Sequence, residues 1–227
     1  MLRNQQGNEQ VQEDAELACP VGEAECAVLS ELRSARKELA SLQSLVRKDE
    51  LTKLYNYRHF MDSLELEMER TRRSGHAMSL IMVDLDHFKK INDNWGHEFG
   101  NEVLSRVAEV ISDTVRRVDI PCRFGGEELA IILPDTTLRS AVMLANRLRE
   151  RIESLVFERG EEKVLVSASL GVDVYRAKDN DTSGEFIHRA DAWLLQAKEQ
   201  GRDRVCHAPY RKESSVTQDE RDLLLKG

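Results

Sequence analysis

Two acidic positions in this sequence could hold a hard metal ion. Asp84 and Asp86 close an apolar run, Ser79 to Asp84, with the composition of a buried strand. They are expected on opposite faces, so that only one carboxylate lines a given site. Alone, a strand-end aspartate reads as a turn or capping residue. The second position, Glu127-Glu128, follows the glycines of Arg123-Phe-Gly-Gly-Glu-Glu-Leu129. Adjacent glycines let a backbone approach a ligand closely, and glutamates beside them suit Mg2+, which prefers oxygen and keeps waters for a phosphate substrate. The competing reading is a plain two-glycine turn with solvated glutamates. Lys198 and Arg202, four apart at a helix end, would share one face and could clamp a phosphate, or could be solvated charges favoured by the helix dipole.

The elements that must position these groups follow from periodicity. A helix through Phe60 to Arg73 precedes the strand Ser79 to Asp84, and a second helix covers about Gly100 to Arg116. Cys122 to Phe124 and Glu128 to Leu133 read as a β-hairpin with Gly125-Gly126 at its tip. Pro134-Asp135-Thr136 supplies the cap of a helix to about Leu155. Strands Val164 to Ala168 and Leu170 to Tyr175, a helix Gly184 to Glu199 and a short strand Arg204 to Cys206 complete an α/β (α+β) fold, a mixed central sheet with surrounding helices.

Residues 1–22 are polar without apolar period and read as a disordered lead-in. In residues 23–48, Val28, Leu32, Ala35, Leu39, Leu42 and Val46 recur at alternating steps of four and three, the seam of a coiled-coil stalk that would make a dimer. An amphipathic helix folded back on its own domain remains the alternative. The catalytic domain is expected over 49–208, and 209–227 is a polar tail apart from Leu223, Leu224 and Leu225. The net charge of −8 argues against general nucleic-acid binding. No apolar run approaches the roughly 20 residues of a membrane helix, and no signal-peptide core is present, so a cytoplasmic location is expected. The four cysteines are too scattered for a zinc site or disulfide framework.

Arg123-Phe-Gly-Gly-Glu-Glu-Leu129 closely resembles the motif that names the GGDEF diguanylate cyclase family, with Glu127 for the frequent Asp and Leu129 for Phe. Three further blocks agree in order and spacing: Asp49-x-Leu-Thr-x-Leu-x-Asn56, Asp84-Leu-Asp-His-Phe-Lys-Lys-Ile-Asn-Asp93 with Gly96-His97-x-x-Gly100, and Ala197-Lys-x-x-Gly-Arg202. The resemblance implies a fold like the polymerase palm and the class III nucleotidyl cyclases. It further implies condensation of two GTP into cyclic di-GMP with two Mg2+ or Mn2+ ions per site. By the same likeness Asp84, Glu127 and the Leu85 carbonyl correspond to metal ligands, and Glu128 to a second acidic catalytic residue. Phe88 and Lys89 correspond to a loop around the triphosphate, Lys198 and Arg202 to a γ-phosphate clamp, and Asn92 and Asn101 to guanine contacts. His97 corresponds to a family histidine read as structural.

The family usually has Asp at the position of Asn101, where a carboxylate accepts twice from guanine; Asn suits adenine as well, which leaves purine selectivity open. Lys53, Tyr57 and Leu195 also depart from common family residues without removing a charge or ligand. Arg116-Arg-Val-Asp119 matches the family's inhibitory product site, with Arg147 as a further contact. An ion-paired surface helix end is the alternative for that motif. The implied partners are GTP, cyclic di-GMP and a second copy of the chain; the stalk, too short for a sensor module, is expected to receive the signal by binding an activator protein. Two other functions stay open: a nonenzymatic nucleotide receptor and a cyclase of relaxed purine selectivity.

Overall fold

The computed structural model describes residues 30–35, 47–160 and 162–210. The chain falls into two units, Met1–Arg47 and Lys48–Gly227. In the first, residues 30–35 are helical and include the seam positions Leu32 and Ala35, with Leu32 exposed. Val28, Leu39, Leu42 and Val46, and with them the test of a coiled-coil seam, lie outside the described residues, as do the lead-in 1–22 and residues 211–227.

The second unit is ordered along the chain as α1 (Tyr57–Ser74), β1 (Met78–Leu85), α2 (Phe88–Trp95), α3 (His97–Thr114), β2 (Ile120–Gly125) and β3 (Glu128–Leu133). Then follow α4 (Leu138–Glu153), β4 (Val156–Arg159), β5 (Glu162–Leu165), β6 (Ala168–Tyr175), α5 (Ser183–Glu199) and β7 (Val205–His207). Five strands form one sheet in the order β2-β3-β1-β6-β7, antiparallel except for the parallel pair β6–β7. Strands β4 and β5 make a separate hairpin.

Strand β1, Met-Ser-Leu-Ile-Met-Val-Asp-Leu, is buried throughout because helices cover both sheet faces. Alternation divides its side chains. Leu80 and Met82 join Phe60, Leu64, Phe186 and Leu194 under α1 and α5, whereas Ile81, Val83 and Leu85 join Phe99, Val107, Ala145 and Leu148 under α3 and α4. Helix α5 starts in a capping box, Thr182 with Glu185, and lies close on β6, where Gly171 leaves room for the backbone of Ala190 and Leu194.

Several boundaries differ from the sequence reading for local reasons. Asn56 accepts from the His59 N–H at 3.0 Å and caps α1, so that helix begins before Phe60. Thr137, rather than Pro134-Asp135-Thr136, caps α4. Helix α3 starts at His97 and ends at Thr114, where Val115 turns extended. Phe88 and Lys89, placed in a loop by the family likeness, instead open helix α2, and β4 has no counterpart in the sequence reading. The expected strand Val164 to Ala168 is divided between β5 and β6.

The segment leading into α1 is tied to the sheet. Tyr55 bridges Cys122, its N–H donating to the Pro121 carbonyl at 3.0 Å and its carbonyl accepting from Arg123 N at 2.8 Å.

Candidate functional site

Strand β1 runs between β3 and β6, and its last residues reach the sheet end beside the β2–β3 turn. In the register Asp84 faces Glu128 directly. Two carboxylates opposite each other in an antiparallel ladder repel, so the pair requires a cation. Lys198, near the end of α5, supplies one: its Nζ lies 2.8 Å from Asp84 Oδ2. Burial is the main cause that raises the Asp84 carboxyl above its ordinary range; the Lys198 ammonium opposes it, and Glu127 and Asp86 add to it. Glu128 is raised likewise, first by burial and then by Asp84.

The hairpin tip differs from expectation by one residue. Gly125 ends β2 and pairs with Glu128, leaving Gly126 and Glu127 as the turn, with Gly126 at φ +36°. Glu127 is therefore at the apex beside Asp84. The Leu85 carbonyl points the same way. Asp86 N donates to Ser167 O at 2.9 Å, so in the alternating ladder the groups of Leu85 face away from β6, toward the hairpin.

Asp84 and Asp86 do not face opposite ways as expected, because residues two apart in a strand share a face. Their partners separate them instead. The Asp86 carboxylate accepts from Ser169 Oγ at 2.7 Å, Ser167 Oγ at 2.8 Å and Asp203 N at 3.0 Å. It thereby anchors the loop that carries Arg202, a positioning contact that the sequence reading missed; the serines at 167 and 169 were its only signal. Arg202 itself lies beyond α5, whose C-cap is Gln200, in a left-handed conformation at φ +62°. The i,i+4 face shared by Lys198 and Arg202 is absent, and Arg202 is exposed on the loop that follows α5.

Phe88 and Lys89 open helix α2. The Phe88 side chain is buried against the core and Lys89 is exposed, while His87, in the N-cap position, makes no side-chain cap. The uncapped helix start just beyond Asp84–Asp86 offers N–H donors to an anion. Asn92 lies across Gly100, where an added Cβ would come within 1.9 Å of its Oδ1. This places Asn92 beside the first turn of α3, which carries exposed Asn101. His97 is exposed and has no partner among the described residues, so packing does not support a structural role for it.

A second connection was invisible in the sequence. Arg123 donates to the Gly126 carbonyl from Nε at 3.1 Å and from Nη2 at 2.9 Å, and its Nη1 meets Asp49 Oδ2 at 3.2 Å. Asp49 Oδ1 also accepts from Thr52 N at 2.8 Å and Oγ1 at 2.7 Å. Burial pushes the Asp49 carboxyl up, but the Thr52 bonds and the Arg123 charge together hold it below its ordinary 3.8. A depressed acid contributes stability above its unfolded value and loses it as pH falls through the folded one. Asp49→Asn should therefore cost about 1 kcal/mol at neutral pH. That gap to wild type should close below pH 3.8 in paired thermal melts.

Arg116, Asp119 and Arg147 line one cavity of about 310 Å³ with Thr136, Ser140 and Met143. Asp119 Oδ2 accepts from Arg116 N at 2.7 Å, while its buried Oδ1 has no partner. Arg147 donates to the Thr114 carbonyl at 3.0 Å. A cavity of about 830 Å³ lies at the opposite end of β1 and β6 and includes none of the residues named so far as site candidates.

Could this site hold a divalent cation? Among the described residues no three acidic, histidine or cysteine side chains close on one point. Mg2+ requires fewer, since one or two carboxylates suffice when waters and substrate phosphates complete the shell. The repelling pair Asp84 and Glu128, with an ammonium already on Asp84, fits a cation. No helix among the described residues is long and apolar enough to cross a membrane.

Comparisons with known proteins bear on the family and the fold. The family model described as "Diguanylate cyclase, GGDEF domain" matches residues 46–204. Response regulator PleD of Caulobacter vibrioides is 38% identical over 172 residues, 75% of this chain and 38% of PleD. Diguanylate cyclase VdcA of Vibrio cholerae is 36% identical over 182 residues, 79% of this chain and 52% of VdcA. The chain thus spans about half or less of these relatives. Among solved structures, diguanylate cyclase SiaD of Pseudomonas aeruginosa in complex with its activator SiaC aligns with TM-score 0.69 and 33% identity, covering 89% of this chain and 75% of SiaD. The coiled coil and GGDEF domain of DgcB from Caulobacter crescentus, in complex with c-di-GMP, gives TM-score 0.69 at 28% identity, over 79% of this chain and 94% of that one. With the matched span covering most of the chain and the mixed sheet carrying its acidic turn at the expected place, the chain belongs to the GGDEF diguanylate cyclase family.

Proposed function

We propose that this protein is a diguanylate cyclase that joins two GTP into cyclic di-GMP and releases two pyrophosphates. The observation that carries the reading is the placement of Asp84 opposite Glu128 at the sheet end, beside the apex Glu127 and within reach of Lys198. Asp84, Glu127 and the Leu85 carbonyl would hold two Mg2+ or Mn2+ ions. Bound there, these would neutralise the triphosphate and favour ionisation of the attacking ribose 3'-hydroxyl. The chain's own groups orient the substrate. The open start of α2 with Lys89 would receive phosphate oxygens, Lys198 would serve the triphosphate where Asp84 holds a cation instead, and Arg202 would add a further cation from its loop. Asn92 and Asn101 meet the base.

Each domain carries one such site, so ring closure needs two domains facing each other and a homodimer is the working form. Activator binding at residues 23–48 is proposed by likeness to SiaD, whose structure holds the activator SiaC. Deleting residues 1–47 should then remove any response to an activator. The Arg116, Asp119 and Arg147 cavity is proposed to bind cyclic di-GMP as inhibitor, supported by the unpartnered Asp119 Oδ1 awaiting a guanine donor.

The test is incubation with GTP, ATP or both in Mg2+, with products resolved by mass spectrometry. Cyclic di-GMP from wild type and none from Glu127→Ala is the expected result; nucleotide binding without product would favour the receptor reading. Adenine-containing product would favour relaxed selectivity, the second reading that Asn101 motivates. Gly100→Ala drives a methyl into Asn92, so the KM for GTP should rise about tenfold with folding preserved. Arg116→Ala should relieve product inhibition while initial rates stay unchanged.

A further inference from the structure

The cavity of about 830 Å³ has an apolar floor of Ala77, Leu138, Val174 and Ala177 and a rim of Arg139, Arg176 and Lys178. None of these cations forms an ion pair among the described residues. Three unpaired cations on one groove contrast with a chain of net charge −8. The single acid in the lining, Asp179, is engaged in its own turn, where Oδ2 accepts from Arg176 N at 2.9 Å and its carbonyl from the Tyr175 hydroxyl at 2.8 Å. Tyr210 also lines the groove, and from it the chain continues into residues 211–227, outside the described residues.

Those residues carry the complement of the groove. Asp219, Glu220 and Asp222, with Arg221 among them, lead into Leu223, Leu224 and Leu225, a segment of net charge −2. Residues 211–218 are a sufficient tether, since an extended chain covers about 3.3 Å per residue, roughly 30 Å from Tyr210 to Asp219.

We propose that residues 219–225 dock into this groove of their own chain, with the carboxylates on Arg139, Arg176 and Lys178 and the leucines over the apolar floor. Rim ion pairs are individually weak, but a short tether raises the local concentration of the segment to about the millimolar range, where modest affinity suffices. The groove thus belongs to an intramolecular contact at the end of the sheet remote from the carboxylates.

Amide hydrogen exchange on the full chain tests this at residues 137–139 and 176–179. Asp219→Lys, Glu220→Lys and Asp222→Lys together should speed exchange there by about fivefold or more. Arg139→Glu with Arg176→Glu, neither side chain making a hydrogen bond or ion pair among the described residues, should do the same, and combining the two sets should restore protection. Unchanged exchange in either set, or failure of the combination to restore it, overturns the proposal. Protection that vanishes on dilution also overturns it, because the segment of a second copy would then be the occupant.

Discussion

Glu128→Gln is expected to lower cyclase turnover by about 1,000-fold and yet to make the protein slightly more stable. Glu128 faces Asp84 across the β1–β3 ladder, and both carboxyls are raised, chiefly by burial and then by neighbouring charge. Gln keeps the shape and removes the repulsion, while Asp84 keeps Lys198 at 2.8 Å. The gain should be about 0.5 kcal/mol, given partial exposure. In a domain of this size that is about 1–2 °C in Tm. The pH dependence fixes the sign independently. A carboxyl raised by folding binds protons more readily in the folded state, so the stability it contributes is complete below its unfolded value and is lost as pH rises through the folded one. In metal-free buffer the wild-type deficit should therefore shrink as pH falls from neutral toward 4.5, the ordinary value for Glu128. A variant that melts below wild type, or that turns over normally, would sink the assignment of this pair.

Gly171→Ala should be the most damaging single methyl in the fold. Its Cβ would lie 2.3 Å from both the Ala190 carbonyl and the Leu194 N–H nitrogen, and 2.8 Å from Leu194 Cα. All three are backbone atoms of α5 and cannot rotate away, so the helix must lift from β6. Overpacking of this kind costs about 3 kcal/mol, or about 6–12 °C in Tm here. Lys198 travels with the helix, and a displacement near 1 Å costs about 100-fold in turnover. Gly184→Ala is the control: nothing lies within 4 Å of its Cβ in the first turn of the same helix. It should be stabilising by about 0.5 kcal/mol. Thermal melts and steady-state rates on both variants check the contrast.

What the sequence revealed, and what it hid, divides along the range of the interactions. Strand β3 was read to the residue because Leu129 to Leu133 is a continuous apolar run between a glycine turn and Pro134. The acidic pair was legible because its members flank recognisable local signals, a buried strand end and a glycine turn. Helix α2 was not, since Phe88–Trp95 is short and mostly polar, and its single buried face of Phe88 and Ile91 is too brief to show a period. The shared helical face of Lys198 and Arg202 failed because spacing alone assumes the helix continues, whereas it ends at Glu199. Arg123 and Asp49 are 74 residues apart, and no local pattern joins them. Nor does the sequence mark Gly171 as different from Gly184; only the crossing of α5 over β6 does that.

The attachment of Tyr55 to β2 has a consequence for self-association. A sheet of five strands has two open borders, and an exposed border is a template on which another chain can add a strand. One border here is β7, only three residues long. The other is β2, where Tyr55 already occupies the hydrogen-bonding positions of Pro121 and Arg123, and Pro121 itself has no N–H to offer. Two copies of this domain are thus discouraged from fusing into one continuous sheet. They remain free to meet through the sheet end that carries Asp84 and the hairpin turn, the encounter that the proposed joining of two GTP would require.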